Sequence, residues 1–113
     1  MNLITLVDRL NIQVLCGEIS AENNVTWSYV SDLLSDVMGK AGEGNIWITL
    51  QSHKNIVAVA LLKELSAILL VNGVKPDEET LFHARKEGVV MLSTTLPAFE
   101  ITGKIYNLLI QDE

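Results

Sequence analysis

The chain has 113 residues and a formal net charge of −6, from 14 acidic and 8 basic side chains. The basic residues are scattered, which argues against binding to the backbone of a nucleic acid, because that needs clustered Lys and Arg. The single cysteine, Cys16, excludes an internal disulfide and a cysteine-based metal cluster, and it indicates a reducing compartment. No apolar stretch reaches the roughly 18 residues of a membrane span and the N-terminus lacks a signal-peptide pattern, so we expect a cytoplasmic protein.

The length of the chain and its pattern together predict a single α/β domain over residues 1–113. Apolar runs alternate with turn residues and helix caps throughout. In the first half of the chain, the predicted elements are a short helix capped by Thr5, strands over 12–16 and 25–30, a helix over 33–38 and a strand over 45–51. A crossover helix then leads to a strand over 66–71. The predicted elements after it are a helix from Asp77 to Gly88, a strand over 89–92 and a helix that begins at Pro97. This alternation predicts a three-layer α/β/α sandwich with a mainly parallel sheet of about five strands.

The centre of the chain, Asn45 to Val71, is predicted to be a right-handed strand–helix–strand unit. Its helix contains Ile56 to Leu62, seven consecutive apolar residues, whereas a surface helix should show one apolar stripe and a polar back. A strand is the poorer reading, because two strands already flank the run. If one face of the helix covers the sheet, something must cover the other face, and we expect a second copy in a homodimer. The alternative is that other segments of the same chain bury the helix.

The last predicted helix carries Phe99, Gly103, Tyr106 and Ile110 at helical spacing. A glycine inside a helix costs about 1 kcal/mol relative to alanine. We therefore expect Gly103 to mark a close contact between this helix and the sheet.

Polar loops follow four of the predicted strands, and in open parallel sheets ligands bind outside the carboxyl ends of the strands. Hydroxyls, amides and helix N-termini at such an edge suit an anion such as a phosphate. The alternative is that Ser31, Asn55 and Thr95 are plain helix caps and that nothing binds. The candidate ligand-binding residues are Ser31, Asp32, Gln51, Ser52, His53, Asn55, Asn72, Gly73, Ser93, Thr94 and Thr95.

Among these residues, His53 has the widest range of chemistry. Its imidazole could donate to a phosphate, take part in proton transfer, or hold its own loop by hydrogen bonding. No catalytic partner for it can be identified, and the chain lacks the phosphate loop of nucleotide hydrolases and the nucleophile elbow. Two distant histidines and one cysteine do not have the spacing of a metal site. We expect no catalytic residues, no enzyme activity and no bound metal.

Several stretches of the chain together resemble a small stand-alone DRTGG-domain protein. They are Tyr29–Met38, Gly44–His53 with Asn55–Ala60, Pro76–Thr80 and Leu92–Pro97. The resemblance covers nearly the whole chain, although Val25–Ser28 stands where the glycines of the family are expected. It implies a three-layer α/β/α domain related to the N-terminal domain of bacterial HPr kinases and usually dimeric.

The resemblance also implies a regulatory role without catalysis. Similar domains occur fused to phosphotransacetylases and, beside CBS domains, in pyrophosphatases whose regulatory part responds to adenine nucleotides. Small stand-alone members occur in anaerobic bacteria, often beside iron-only hydrogenase genes. The leading hypothesis is a dimeric sensor domain that binds an adenine nucleotide or another phosphate-bearing metabolite at the strand-end loops and needs no cofactor. The alternatives are an interaction module of a redox or phosphotransfer enzyme that uses the Ile56–Leu62 helix, and, more weakly, a small enzyme using His53 with Asp32.

Overall fold

The structure, a computed structural model, describes residues 1–112 and alternates helices with strands as predicted. Within this range the helices are α1 (Leu3–Arg9), α2 (Leu34–Lys40), α3 (Asn55–Leu62), α4 (Glu78–Glu87) and α5 (Ala98–Gln111). The strands are β1 (Gln13–Cys16), β2 (Trp27–Val30), β3 (Asn45–Thr49), β4 (Ala67–Leu70) and β5 (Met91–Ser93). No helix in residues 1–112 is long and apolar enough to cross a membrane.

The strands form one sheet in the order β1-β5-β4-β3-β2. The strands β2 to β5 are parallel, and β1 pairs antiparallel with β5 at one edge. The predicted mainly parallel five-stranded sheet is therefore confirmed. Because β1 runs the opposite way, its first residue, Gln13, lies opposite Ser93, at the edge of the sheet where the parallel strands end.

Helices cover both faces of the sheet, which confirms the three-layer sandwich. Along β3, Ile46 and Ile48 pack in the cluster that contains the buried residues of α1 and α5, while Trp47 packs in the cluster of α2, α3 and α4. This is the alternation expected of a strand that is buried on both sides. Every residue of β3 is buried.

The first helix begins earlier than predicted. The side chain of Asn2, and not that of Thr5, caps α1 by accepting a hydrogen bond from the backbone N–H of Ile4 at 2.8 Å. This start lets α1 bury Leu3 and Leu6 completely. An Asn cap is as favourable as a Ser or Thr cap, so the position of the buried leucines decides the boundary.

The apolar helix α3 is largely buried by its own chain. Ile56, Val57, Val59 and Ala60 are buried, because α3 lies between α2 and α4 and contacts both. The apolar side chains that stay exposed are those of Ala58, Leu61 and Leu62, and Leu62 is 70% exposed. The alternative of burial within the chain thus explains most of the run, and only one end of the helix remains available to another molecule.

The predicted contact between Gly103 and the sheet is wrong. The side of α5 that faces the sheet carries Ile101, Ile105, Leu108 and Leu109, all buried. Gly103 is exposed, and a Cβ atom added there would have no atom within 4 Å. Helix α5 has two apolar stripes, and the aliphatic one packs on the sheet because its branched side chains fill the core more completely than an aromatic–glycine stripe can.

Candidate functional site

The loops predicted to share one edge do so. Ser31–Asp32 follows β2, the segment 50–54 follows β3, Asn72–Gly73 follows β4 and Thr94–Thr95 follows β5, all at the carboxyl ends of parallel strands. Ser93 itself is the last residue of β5. The edge consists of two parts that differ in hydrogen bonding, one at β2 and β3 and the other at β4 and β5.

The part at β2 and β3 is closed by hydrogen bonds within the chain. Asp32 Oδ1 accepts from Thr49 Oγ1 and from the backbone N–H of Leu50, both at 2.8 Å. Gln51 Nε2 donates to the backbone oxygen of Asp32 at 2.8 Å. The cavity beside these groups is only about 60 Å³. A phosphate would have to displace the Asp32 carboxylate, which already occupies the position of an anion on the Leu50 amide.

The alternative that Ser31, Asn55 and Thr95 cap helices is wrong as far as the capping is concerned. Within residues 1–112, α2, α3 and α5 have no side-chain cap, so Ser31, Asn55 and Thr95 do not cap them. Ser31 Oγ instead accepts from the N–H of Leu33 at 3.1 Å, in a turn before α2. Only α4 begins as predicted, where the side chain of Asp77 accepts from the backbone N–H of Thr80 at 2.9 Å.

His53 lies in an acidic neighbourhood. It is exposed just before α3, in the neighbourhood of Asp77. The pKa of Asp77 is lowered, first by the hydrogen bonds from the hydroxyl and the N–H of Thr80, and further by the nearby charges of His53 and Lys54. Lys54 Nζ is 2.9 Å from Glu79 Oε1. An anionic ligand at His53 would therefore meet the acidic first turn of α4.

The loop of His53 is also tied to α4 through Ser52, whose backbone oxygen accepts from Thr80 Oγ1 at 2.8 Å. Asn55 is the first residue of α3. It lines a groove between α3 and α4 together with Leu61, His83 and Glu87. The β3–α3 loop is therefore held against the first turn of α4 by these contacts.

The part at β4 and β5 is more open. Asn72 and Gly73 both have left-handed backbone conformations, with φ of 58° and 66°. This turn lets their N–H groups donate to the backbone oxygens of Leu96 and Thr94, each at 2.9 Å. Thr94 is buried, and its Oγ1 accepts from the N–H of Leu96 at 3.2 Å, while Thr95 is exposed. Backbone and hydroxyl groups thus hold the loop after β5 in a fixed shape.

Beside this loop lies a cleft of about 390 Å³, which we call the β5 cleft. It combines two cationic side chains, one carboxylate, two hydroxyls and the first turns of α5. Among residues 1–112, neither Arg9 nor Lys104 forms an ion pair. The residues that line the β5 cleft are Arg9, Leu10, Asn11, Thr94, Thr95, Leu96, Glu100 and Lys104.

The structure brings together only part of the predicted site. Thr94 and Thr95 line the β5 cleft, and Asn72 and Gly73 are hydrogen-bonded to the same loop. Arg9, Asn11 and Lys104 were not predicted. Arg9 and Asn11 reach this edge because β1 is antiparallel to β5, which places the end of α1 and the turn before β1 beside Thr94, whereas Lys104 reaches it from α5. The sequence signals a mainly parallel sheet, but no local pattern in it indicates which strand β1 pairs with.

The fold defines a three-layer α/β/α domain with a ligand-sized cleft at the carboxyl edge of its sheet. The chain belongs to the DRTGG domain family, whose sequence model matches residues 5–108. The resemblance found in the sequence is therefore confirmed. None of the proteins with curated functions is similar enough in sequence to be matched.

A solved structure with the same fold contains the CBS and DRTGG domains of the regulatory region of a Clostridium perfringens pyrophosphatase, complexed with its activator, diadenosine tetraphosphate. The TM-score is 0.65 and the sequence identity is 17%. The similarity covers 92% of this chain and 45% of that one, so the chain spans less than half of the pyrophosphatase region.

Proposed function

We propose that this chain is a cytoplasmic, non-catalytic sensor domain whose β5 cleft binds a nucleotide or another phosphate-bearing metabolite. The observation that carries the proposal is the pair of cations without ion-pair partners in residues 1–112, Arg9 and Lys104, beside the hydroxyls of Thr94 and Thr95. The family provides regulatory domains, and the pyrophosphatase region of the same fold is complexed with a polyphosphate nucleotide.

The chemistry of the β5 cleft fits a phosphate group. An Arg guanidinium can donate two parallel hydrogen bonds to phosphate oxygens, and Lys104 adds a second positive charge. The start of α5, which has no side-chain cap, presents free N–H groups to the same region. The volume of about 390 Å³ lies within the range of small-ligand pockets.

Glu100 narrows the class of ligand. Its carboxylate lines the β5 cleft and repels bare phosphate, but it can accept hydrogen bonds from the hydroxyls of a ribose. A nucleotide, which has both a phosphate and a ribose, therefore suits the cleft better than inorganic phosphate or pyrophosphate. This selectivity is part of the proposal.

The test is isothermal titration calorimetry with AMP, ATP, diadenosine tetraphosphate and inorganic pyrophosphate. We expect a nucleotide to bind, and Arg9→Gln to weaken its binding about tenfold, which is ~1.4 kcal/mol. Lys86→Gln removes an equal charge from the last turn of α4 and is the matched control. Absence of binding by every nucleotide, or equal loss in both variants, contradicts the proposal. If His53→Ala abolished nucleotide binding while Arg9→Gln bound as tightly as the wild type, the binding site would lie at the β3–α3 loop instead.

A second candidate is an interaction module of a redox or phosphotransfer enzyme. It is favoured by the exposed end of α3, where Leu61 and Leu62 are exposed and Leu61 lines the groove that also contains His83. The test is binding to a purified iron-only hydrogenase, with Leu62→Glu as the disrupting variant and Leu33→Glu, on another exposed leucine, as the control. Association that survives Leu62→Glu would contradict this candidate.

Catalysis by His53 with Asp32 is a weaker alternative, because no observation favours it. The Asp32 carboxylate is engaged with Thr49 and Leu50, and the carboxyl whose pKa the nearby His53 helps to lower is that of Asp77. Any turnover found in the purified protein should be unchanged in His53→Ala.

A further inference from the structure

A groove on the outer surface of α5 adjoins the β5 cleft. We call it the outer groove; Phe99, Gly103 and Tyr106 are among the residues that line it, and its volume is about 430 Å³. Phe99 is 90% exposed and Tyr106 is 52% exposed. The rings of Tyr106 and Trp27 pack edge-on with a centroid distance of 5.7 Å, which restrains the Tyr106 ring. The outer groove therefore offers two accessible aromatic rings, one of which is held by a neighbour.

Gly103 lies on α5 between these two aromatic residues. A Cβ atom there would meet nothing within 4 Å, so no contact inside residues 1–112 requires a glycine, although glycine destabilises a helix relative to alanine. The missing side chain leaves the helix surface low between two aromatic rings. A flat aromatic ligand can lie in this space, and a larger side chain at position 103 would fill it.

The outer groove and the β5 cleft share a wall. Glu100 and Lys104 line both of them, whereas Thr94 and Thr95 line only the cleft and Phe99 lines only the groove. Within residues 1–112, neither Glu100 nor Lys104 forms an ion pair. Their charged groups are therefore free to contact a molecule that extends from the cleft into the groove.

The order of chemical groups across this wall is the order within a nucleotide. The β5 cleft, with Arg9 and Lys104, suits the phosphates, and the Glu100 carboxylate of the shared wall suits the ribose hydroxyls. The outer groove beyond it suits the base, because nucleobases stack on accessible aromatic side chains. Asn107 also lines the groove, and its amide has both a donor and an acceptor for the edge of a base.

We propose that the outer groove of α5 is the subsite for the base of a purine nucleotide whose phosphates lie in the β5 cleft. This inference rests on the proposed function and adds to it the place of the base and a preference for purines. A purine has a larger aromatic face than a pyrimidine, so it buries more apolar surface against Phe99. The charged cleft supplies attraction for the phosphates, and the outer groove selects the base.

The test is isothermal titration calorimetry with ATP and CTP, which share the ribose and the triphosphate and differ only in the base. We expect the wild type to bind ATP about fivefold more tightly than CTP. Phe99→Ser should weaken ATP binding about tenfold and bring the two affinities close together, because the stacking surface is lost. Phe82→Ser alters another exposed aromatic side chain, on α4, and should leave both affinities unchanged.

Gly103→Leu separates loss of the subsite from loss of folding. Leucine favours the helix and space is available for it, so the thermal midpoint of this variant should rise. The same side chain fills the outer groove, so ATP binding should weaken about as much as in Phe99→Ser. In NMR spectra of the wild type, ATP should shift the Gly103 amide resonance, whereas inorganic triphosphate, which has no base, should shift Thr94 and Thr95 but not Gly103.

ATP binding that is weakened by Arg9→Gln but unchanged by Phe99→Ser and Gly103→Leu would overturn the base subsite and leave the proposed function standing. Equal affinities of the wild type for ATP and CTP would overturn it in the same way. Failure of ATP and CTP to bind the wild type at all would overturn the base subsite together with the proposed function.

Discussion

The two helical layers of this domain differ in how completely they are covered. Helices α2, α3 and α4 lie side by side on one face of the sheet, and α3 is in the middle with a neighbour on each side. On the other face, α5 packs over β3 and the edge strand β2, and no helix within residues 1–112 covers its outer side. The more apolar helix is thus mostly core, and the more mixed helix carries the exposed aromatic stripe. Position within a layer, and not apolar content, decides which helix keeps an exposed apolar side.

The largest effect should come from a charge placed on α3. Val59 is buried against its neighbours, so Val59→Glu puts a carboxylate where no partner is available, at a cost of roughly 3 kcal/mol or more. We expect Val59→Glu to unfold much of the protein in urea denaturation. The matched variant Leu62→Glu, on the exposed end of the same helix, should stay within about 0.5 kcal/mol of the wild type. Equal stability of the two variants would show that α3 is not core.

The two sides of α5 should also differ. Ile105 is fully buried on the sheet side, and Ile105→Ala should cost about 2–5 kcal/mol. Tyr106→Ala, one residue further along, removes a half-exposed side chain and its edge contact with Trp27, and should cost less than about 1.5 kcal/mol. Denaturation at a low protein concentration, where the monomer dominates, measures both. A larger loss for Tyr106→Ala would mean that the outer side of α5 is part of the core.

Gly103→Ala should make the chain more stable. The residue is exposed inside a helix and a Cβ atom fits without contact, so we expect a gain of about 1 kcal/mol from helix propensity and from the less flexible unfolded chain. A higher thermal midpoint at low protein concentration would confirm this. A lower midpoint would indicate the close packing that the sequence had suggested.

The smallest effect concerns acid and the start of α4. Hydrogen bonds from Thr80 lower the pKa of the Asp77 carboxyl below its ordinary value of 3.8. The stabilisation from this carboxylate is therefore complete above that pH, and it is lost as the pH falls through the lower pKa of the folded state. Asp77→Asn keeps a good cap but cannot titrate, so its stability should fall less steeply in acid than that of the wild type. Parallel curves of stability against pH would contradict this role of Asp77.

Local signals in the sequence were sufficient for most of the fold. The helix from Asp77 to Gly88 was predicted with both of its ends, because an Asp cap and a glycine with a φ of 73° are determined by neighbouring residues. The carboxyl edge was predicted for the same reason, since each strand is followed directly by its polar loop. The antiparallel pairing of β1 depends on contacts distant in sequence, so the positions of Arg9 and Asn11 at the carboxyl edge were not predicted.

The same limit applies to α3 and to part of the candidate site. Whether Ile56 to Leu62 is covered depends on α2 and α4, which no pattern inside α3 records. The use of Asp32 to hold Thr49 and Leu50 likewise depends on the pairing of β2 with β3. Hydrogen-bonding capacity is visible in a sequence, but whether that capacity is already used inside the fold is not.

The central claim is that the β5 cleft binds a phosphate-bearing nucleotide. Amide chemical-shift mapping by NMR with ATP or diadenosine tetraphosphate tests it most directly, because it reports on both parts of the edge in one titration. The account predicts saturable shifts centred on Asn11, Thr94 and Thr95. Shifts confined to Ser31–Asp32 or to the loop around His53, or no shifts with either nucleotide, would contradict it.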